Sequence, residues 1–78
     1  MFAVNLKTGK VLYFESQSEA ARQLGARQGH INEVVKGKRD KTGGYWFTNA
    51  DSTAVEKTRA KFGDKIAEKV EKLIREHL

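Results

Sequence analysis

Gly25 follows Ser16 by little more than two helical turns, and that interval sets the scale of the fold. Ser16-Gln17-Ser18-Glu19 has the form of a capping box. In such a box the serine hydroxyl takes an orphan backbone N–H while the glutamate reaches back to the cap. Ala20, Ala21 and Leu24 then recur at helical spacing. Gly25 is suited to the left-handed residue that closes a helix. The segment so bounded, residues 17–24, is too short to be stable alone in water. It must be packed against something.

The next segment supplies a partner. Gln28 to Lys36 reads as a second helix, with Ile31, Val34 and Val35 as its apolar face and Gly37 as its stop. Only Ala26 and Arg27 separate it from Gly25. Two short helices with a glycine at the corner describe a helix-turn-helix, or else an αα-corner used only for packing. Ala20 and Ala21 are small enough to let the two helices approach closely.

Around this pair the pattern turns to strands. Phe2, Val4 and Leu6 alternate with polar or small residues, Gly9 sits in a short turn, and Val11-Leu12-Tyr13-Phe14 follows. This predicts a β-hairpin with Phe2, Val4 and Leu6 on one face. Tyr45-Trp46-Phe47-Thr48 predicts a third strand that completes the sheet, with Tyr45 and Trp46 in the core rather than stacked on bases. Beyond Asn49-Ala50, Asp51 or Ser52 caps a long helical region ending near Leu78. Val55, Phe62, Ile66, Val70 and Leu73 share one face there, with Ile74 beside them. Unbroken over residues 52–78, that helix would run about 40 Å, beyond the roughly 25–30 Å expected of so small a domain. It either breaks at Gly63-Asp64 or projects from the body. The expected fold is therefore α+β. A small antiparallel sheet, the N-terminal hairpin plus a third strand, carries an inserted helix-turn-helix and one or two C-terminal helices. Residues 1–50 form the module, and residues 51–78 an amphipathic helical segment packing on the same domain.

Composition narrows the function. The 78 residues contain no Cys and no Pro, so disulfides and thiolate metal sites are excluded. With His30 and His77 as the only histidines, neither a metal site nor a cofactor is expected. No nucleophile–base pair has a recognisable spacing, so no enzymatic activity is expected. Apolar runs such as Val11–Phe14 are too short to span a membrane, and the start lacks the form of a secretory signal. A cytoplasmic protein, in nucleoid or host cell, is the expectation.

Net charge is +5, which favours an anionic partner. Residues 1–50 hold eight Lys or Arg against four Asp or Glu, whereas residues 51–78 hold seven against six. Five of the eight basic residues lie between Arg27 and Lys41. With Ile31, Val34 and Val35 turned inward, Gly29, Asn32, Glu33 and Lys36 project opposite, with His30 on a flank. Asn32 suits adenine N6 and N7, Lys36 a phosphate or guanine, and Gly29 permits close backbone approach. Arg27 and Gln28 begin the helix, where a helix-turn-helix touches bases or phosphates. Glu33 repels phosphate unless it accepts from a cytosine N4 or pairs with Arg27 or a neighbouring Lys. Lys38, Arg39 and Lys41, in the Gly-rich loop 37–44, suit a phosphate backbone. The alternatives are a mobile basic surface loop, RNA as the anion, or a small interaction module that meets a host protein or a second copy through the C-terminal stripe.

Val11-Leu12-Tyr13-Phe14-Glu15-Ser16-Gln17-Ser18-Glu19-Ala20-Ala21-Arg22-Gln23-Leu24-Gly25 resembles the start of the intron-encoded nuclease repeat motif, also called the nuclease-associated modular DNA-binding domain. His30-Ile31-Asn32, Gly37-Lys38 and Gly44-Tyr45-Trp46-Phe47 continue the likeness over residues 2–48. The resemblance implies a helix-turn-helix accessory module of homing endonucleases, with duplex DNA contacts at Arg27, Gln28, His30, Asn32, Lys36 and Lys38. Ala26 and Gly29 depart from the pattern, and no nuclease motif accompanies it. The expectation is thus a free-standing, non-enzymatic double-stranded-DNA-binding protein, a phage-derived regulator or accessory factor.

Overall fold

In the computed structural model, which describes residues 1–77, the chain folds around its N-terminal strand. β1 (Phe2–Asn5) lies in the middle of a three-stranded antiparallel sheet of order β2-β1-β3, between β2 (Val11–Tyr13) and β3 (Tyr45–Thr48). Ala3 pairs with Leu12 on one side and Phe47 on the other. Phe2 pairs with Tyr13 and Thr48.

The central strand is covered on both faces. Met1, Ala3 and Phe47 pack with Ala20, Ile31 and Val34 of α1 (Gln17–Leu24) and α2 (Gln28–Val35). Phe2 packs with Ala54 and Val70 of α3 (Ala54–Phe62) and α4 (Asp64–His77). Met1 through Val4 are all buried, so the expected one-sided alternation is corrected. A strand buried on both faces reads as a continuous apolar run. Leu6 is exposed at 38% and does not share the burial of Phe2 and Val4. The strand ends at Asn5, whose Oδ1 accepts the backbone N–H of Lys7 and of Thr8 and so turns the chain outward before Leu6. Tyr45 and Trp46 are half-buried, and Trp46 meets the Phe62 ring edge-on at 5.4 Å.

The α1 boundaries follow their sequence signals. Ser16 Oγ accepts the Glu19 N–H at 3.1 Å, and Gly25 closes the helix at φ +68°. The reciprocal half of the capping box is replaced: the Glu19 carboxylate accepts from Arg22 and Gln23 instead. α2 stops one residue earlier than expected, with Lys36 as its C-cap. Gly37 at φ +79° then lets Lys38 N–H reach the Glu33 carbonyl at 2.8 Å and Gly37 N–H reach that of Val34 at 3.1 Å. This is the Schellman arrangement.

The C-terminal helix breaks at Gly63, φ +93°. Arg59 bridges the corner, with Nε 2.8 Å from Asp64 and Nη1 3.7 Å from Glu56. The N-cap of α3 is Thr53, without a capping side-chain bond, so the expected cap at Asp51 or Ser52 is corrected. Asp51 instead holds the turn before it, its Oδ1 accepting from the Thr53 N–H at 2.9 Å and from Oγ1 at 2.6 Å. Those two bonds pull the Asp51 carboxyl below its ordinary pKa. Thr58 is fully buried, its hydroxyl satisfied by the Ala54 carbonyl. Leu78, the expected helix end, lies outside the described residues. The broken helix fits within overall dimensions of 27 × 23 × 22 Å. Its apolar stripe faces the sheet, with Val70 wholly buried against Phe2 and Ala67 buried beside it.

Candidate nucleic-acid interface

Ile31 and Val34 anchor α2: both are buried against the sheet, with Val35 half-buried beside them. Burial of each such side chain stabilises by roughly 1.5–3 kcal/mol, which fixes the rotation of α2. The opposite face then points outward by geometry alone. Arg27, Gln28, Gly29 and Lys36 are exposed, and Asn32 and Glu33 are half-buried at its edges. A Cβ built on Gly29 meets nothing within 4 Å. His30 is half-buried, at the margin of this face rather than on it.

The two helices share polar contacts across their junction. Ser18 Oγ donates to Gln28 Oε1 at 3.1 Å, and Gln17 Nε2 lies 3.5 Å from Asn32 Oδ1. Both amide carbonyls are thus turned toward α1, and their NH₂ groups are left to donate elsewhere. Sequence reasoning missed Gln17 and Ser18. Their acceptors stand on α2, so nothing local to the capping box marks them. Arg27 is the N-cap of α2 but makes no capping side-chain bond.

The basic loop is partly spoken for. Arg39 Nε pairs with Glu33 Oε1 at 3.2 Å. The sequence offered Glu33 the side chain of Arg27 or a lysine, and the structure gives it Arg39 instead. Both side chains are more than 40% exposed, so the pair contributes no more than about 1 kcal/mol. Lys36, Lys38 and Lys41 are exposed. The loop ends in a tight turn, with Thr42 and Tyr45 exchanging backbone hydrogen bonds around Gly43 and Gly44, both at positive φ. A Cβ on Gly43 would lie 3.7 Å from the Ala26 side chain. The turn therefore abuts the helix corner and holds the loop beside the start of α2.

Among the described residues, no group of three or more His, Asp or Glu side chains is placed to hold a metal ion. Among those residues, no helix is long and apolar enough to cross a membrane. Residues 2–48 match the family described as DNA endonuclease I-HmuI-like, NUMOD-like domain. An uncharacterized HNH endonuclease of Acanthamoeba polyphaga mimivirus is 39% identical over 61 residues, which cover 74% of this chain but 15% of that protein. No solved structure matches.

Proposed function

The chain belongs, through residues 2–48, to the NUMOD-like domain family of I-HmuI-like DNA endonucleases, and on that premise we propose that it binds double-stranded DNA without cleaving it. In this reading α2 enters the major groove and loop 37–44 lies along the phosphate backbone. The observation that carries it is the composition of one helix face. Gly29, Asn32, Glu33 and Lys36 project from α2 and its C-cap opposite the buried Ile31 and Val34, with Gln28 exposed at the helix start, and the loop bearing Lys38 and Lys41 is pinned alongside through Gly43 and Ala26.

The roles follow from chemistry. Gln28 and Asn32 present NH₂ donors outward, which suits acceptor positions such as guanine O6 and N7. Asn32 reads adenine bidentately by exchanging its long contact with Gln17, an exchange of small cost at 3.5 Å. Arg27, Lys36, Lys38 and Lys41 supply phosphate contacts, with His30 at the rim. Arg39 joins them by leaving its exposed pair with Glu33. The matched viral relative is named as an HNH endonuclease, and the chain spans about 15% of its length. That supports an accessory module that holds DNA for, or apart from, a nuclease centre, and it agrees with phage-like descent. A host protein or second copy on the C-terminal stripe is the weaker reading, because Val70 of that stripe is buried and Val55, Leu73 and Ile74 pack against the same core.

Fluorescence anisotropy on a labelled duplex tests the reading. Lys38→Ala weakens binding to all sequences alike and lowers the salt slope by about 1. Asn32→Ala reduces discrimination at one base pair by about 1–3 kcal/mol. Absence of duplex binding at about 50 mM salt would refute the proposal.

A further inference from the structure

Counted along the chain, residues 51–78 are nearly neutral. Folding separates their charges. Lys65, Lys69 and Lys72 are spaced by four and three residues, so they line one face of α4. Glu71 faces elsewhere, paired with Arg75, and Asp64 is held by Arg59. Glu68 flanks the lysine stripe and Glu76 closes its far end. The stripe faces the turn between β1 and β2, where Lys69 Nζ donates to the Gly9 carbonyl at 3.2 Å. Between them runs a cleft of about 350 Å³, whose charged lining is Lys10, Lys69, Lys72 and Glu76.

We propose that Lys10 and the Lys65–Lys69–Lys72 stripe form a second phosphate-contacting surface for duplex DNA, outside the helix-turn-helix. This rests on the DNA-binding reading above. Two observations support it. The first is charge: three ammonium groups against one carboxylate in a cleft, all four lysines being exposed. The second is placement. Leu6 N–H donates to the Gly44 carbonyl at 3.0 Å, and Gly43 abuts Ala26. The β1–β2 turn, the end of the basic loop and the helix corner therefore gather at one end of the sheet. A Cβ on Gly9 would lie 3.0 Å from Ile66 Cδ1, so the first turns of α4 reach that same end. Duplex DNA presents one phosphate per roughly 1.7 Å of its axis. A body 27 Å long thus meets more phosphates than α2 and its loop can neutralise. The second surface adds affinity and register without reading sequence.

The test uses the full chain and a labelled mixed-sequence duplex of about 20 base pairs, titrated between about 50 and 200 mM salt. The triple variant Lys10→Gln, Lys69→Gln, Lys72→Gln is expected to lower the slope of log K against log salt by about 2–3. Sequence discrimination stays unchanged. Glu76→Gln is expected to tighten binding. A folded triple variant that keeps the wild-type slope, or a Glu76→Gln chain that binds no tighter, overturns the proposal. If the triple variant unfolds, Lys72→Gln decides alone, with an expected slope change of about 0.9. Among the described residues Lys72 makes no hydrogen bond or ion pair whose loss would disturb the fold. Loss of slope in Lys38→Ala but not in the triple variant overturns this second surface and leaves the first standing. Failure of the wild-type chain to bind duplex overturns both.

Discussion

Gly29→Ala separates stability from function. The residue is second in α2, and the position of an added methyl is open, with nothing inside 4 Å. Its backbone is not left-handed, so alanine brings no strain. Replacing glycine by alanine in a helix stabilises by about 0.5–1 kcal/mol, through lost freedom of the unfolded chain. A first-turn position falls at the lower end of that range. For a domain of this size, about 0.5 kcal/mol raises Tm by roughly 2–4 °C. Binding moves the other way. On a face seated in the major groove, the methyl intrudes where the backbone comes nearest the bases. Overpacking a fitted interface costs about 1–3 kcal/mol, or roughly a five- to hundredfold loss of duplex affinity. Thermal denaturation by circular dichroism and anisotropy on one protein preparation measure both. A chain that gains Tm and keeps full affinity shows that this face of α2 does not lie against DNA, and the placement of α2 fails. A chain that loses Tm shows that the helix assignment at Gly29 is wrong.

The remaining predictions concern the core and the turn before α3. Phe47→Ala removes a fully buried ring that sits under both helices of the interface. It costs about 3–5 kcal/mol, a large share of the stability of so small a domain. Urea titration should show a midpoint near zero denaturant, and a cooperative transition at the wild-type midpoint would contradict the core assignment. Asp51 has its pKa lowered by the Thr53 hydroxyl and amide. Its stabilisation is present above the unfolded carboxylate range, near pH 4, and is lost as pH falls through the depressed folded value. Asp51→Ala should therefore lower stability at pH 7 and converge with the wild type at acid pH. Curves that stay parallel down to acid pH would show that the turn makes no such contribution.

Local chemistry explains what was legible in the sequence. Ser16 and Gly25 bound α1 because a hydroxyl acceptor and a left-handed glycine act on their own backbone neighbours. Gly63 broke the last helix for the same reason. The turn at Gly9 and the aromatic third strand were equally local. What failed was decided across the chain. Leu6 continues the alternation begun by Phe2 and Val4, and nothing in that pattern says that Asn5 will turn the chain away. The alternation of Phe2 and Val4 leaves Ala3 on the other face, and nothing in that pattern says that each face of the strand has its own layer of helices. Arg39 is an ordinary loop cation until α2 and its cap bring Glu33 to it. The acceptors for Gln17 and Ser18 likewise stand on another helix.

The same distinction bears on how the module meets DNA. A sheet buried on both faces ties the C-terminal helices to the helix-turn-helix through one strand, with Phe2 serving α4 and Ala3 serving α2. Adjacent residues of β1 point to opposite layers. A shift of β1 by one residue would therefore exchange the two cores and misplace both basic surfaces together. The small Ala3 and the large Phe2 cannot be exchanged without a void on one side and a clash on the other. Register in β1 is thus what holds α2 and the lysine stripe of α4 in one fixed relation. Fixed spacing matters for DNA because phosphate contacts orient a reading helix only when they are rigidly connected to it. On the proposed two-surface reading, the C-terminal hairpin is part of the recognition geometry as well as a cover for the sheet.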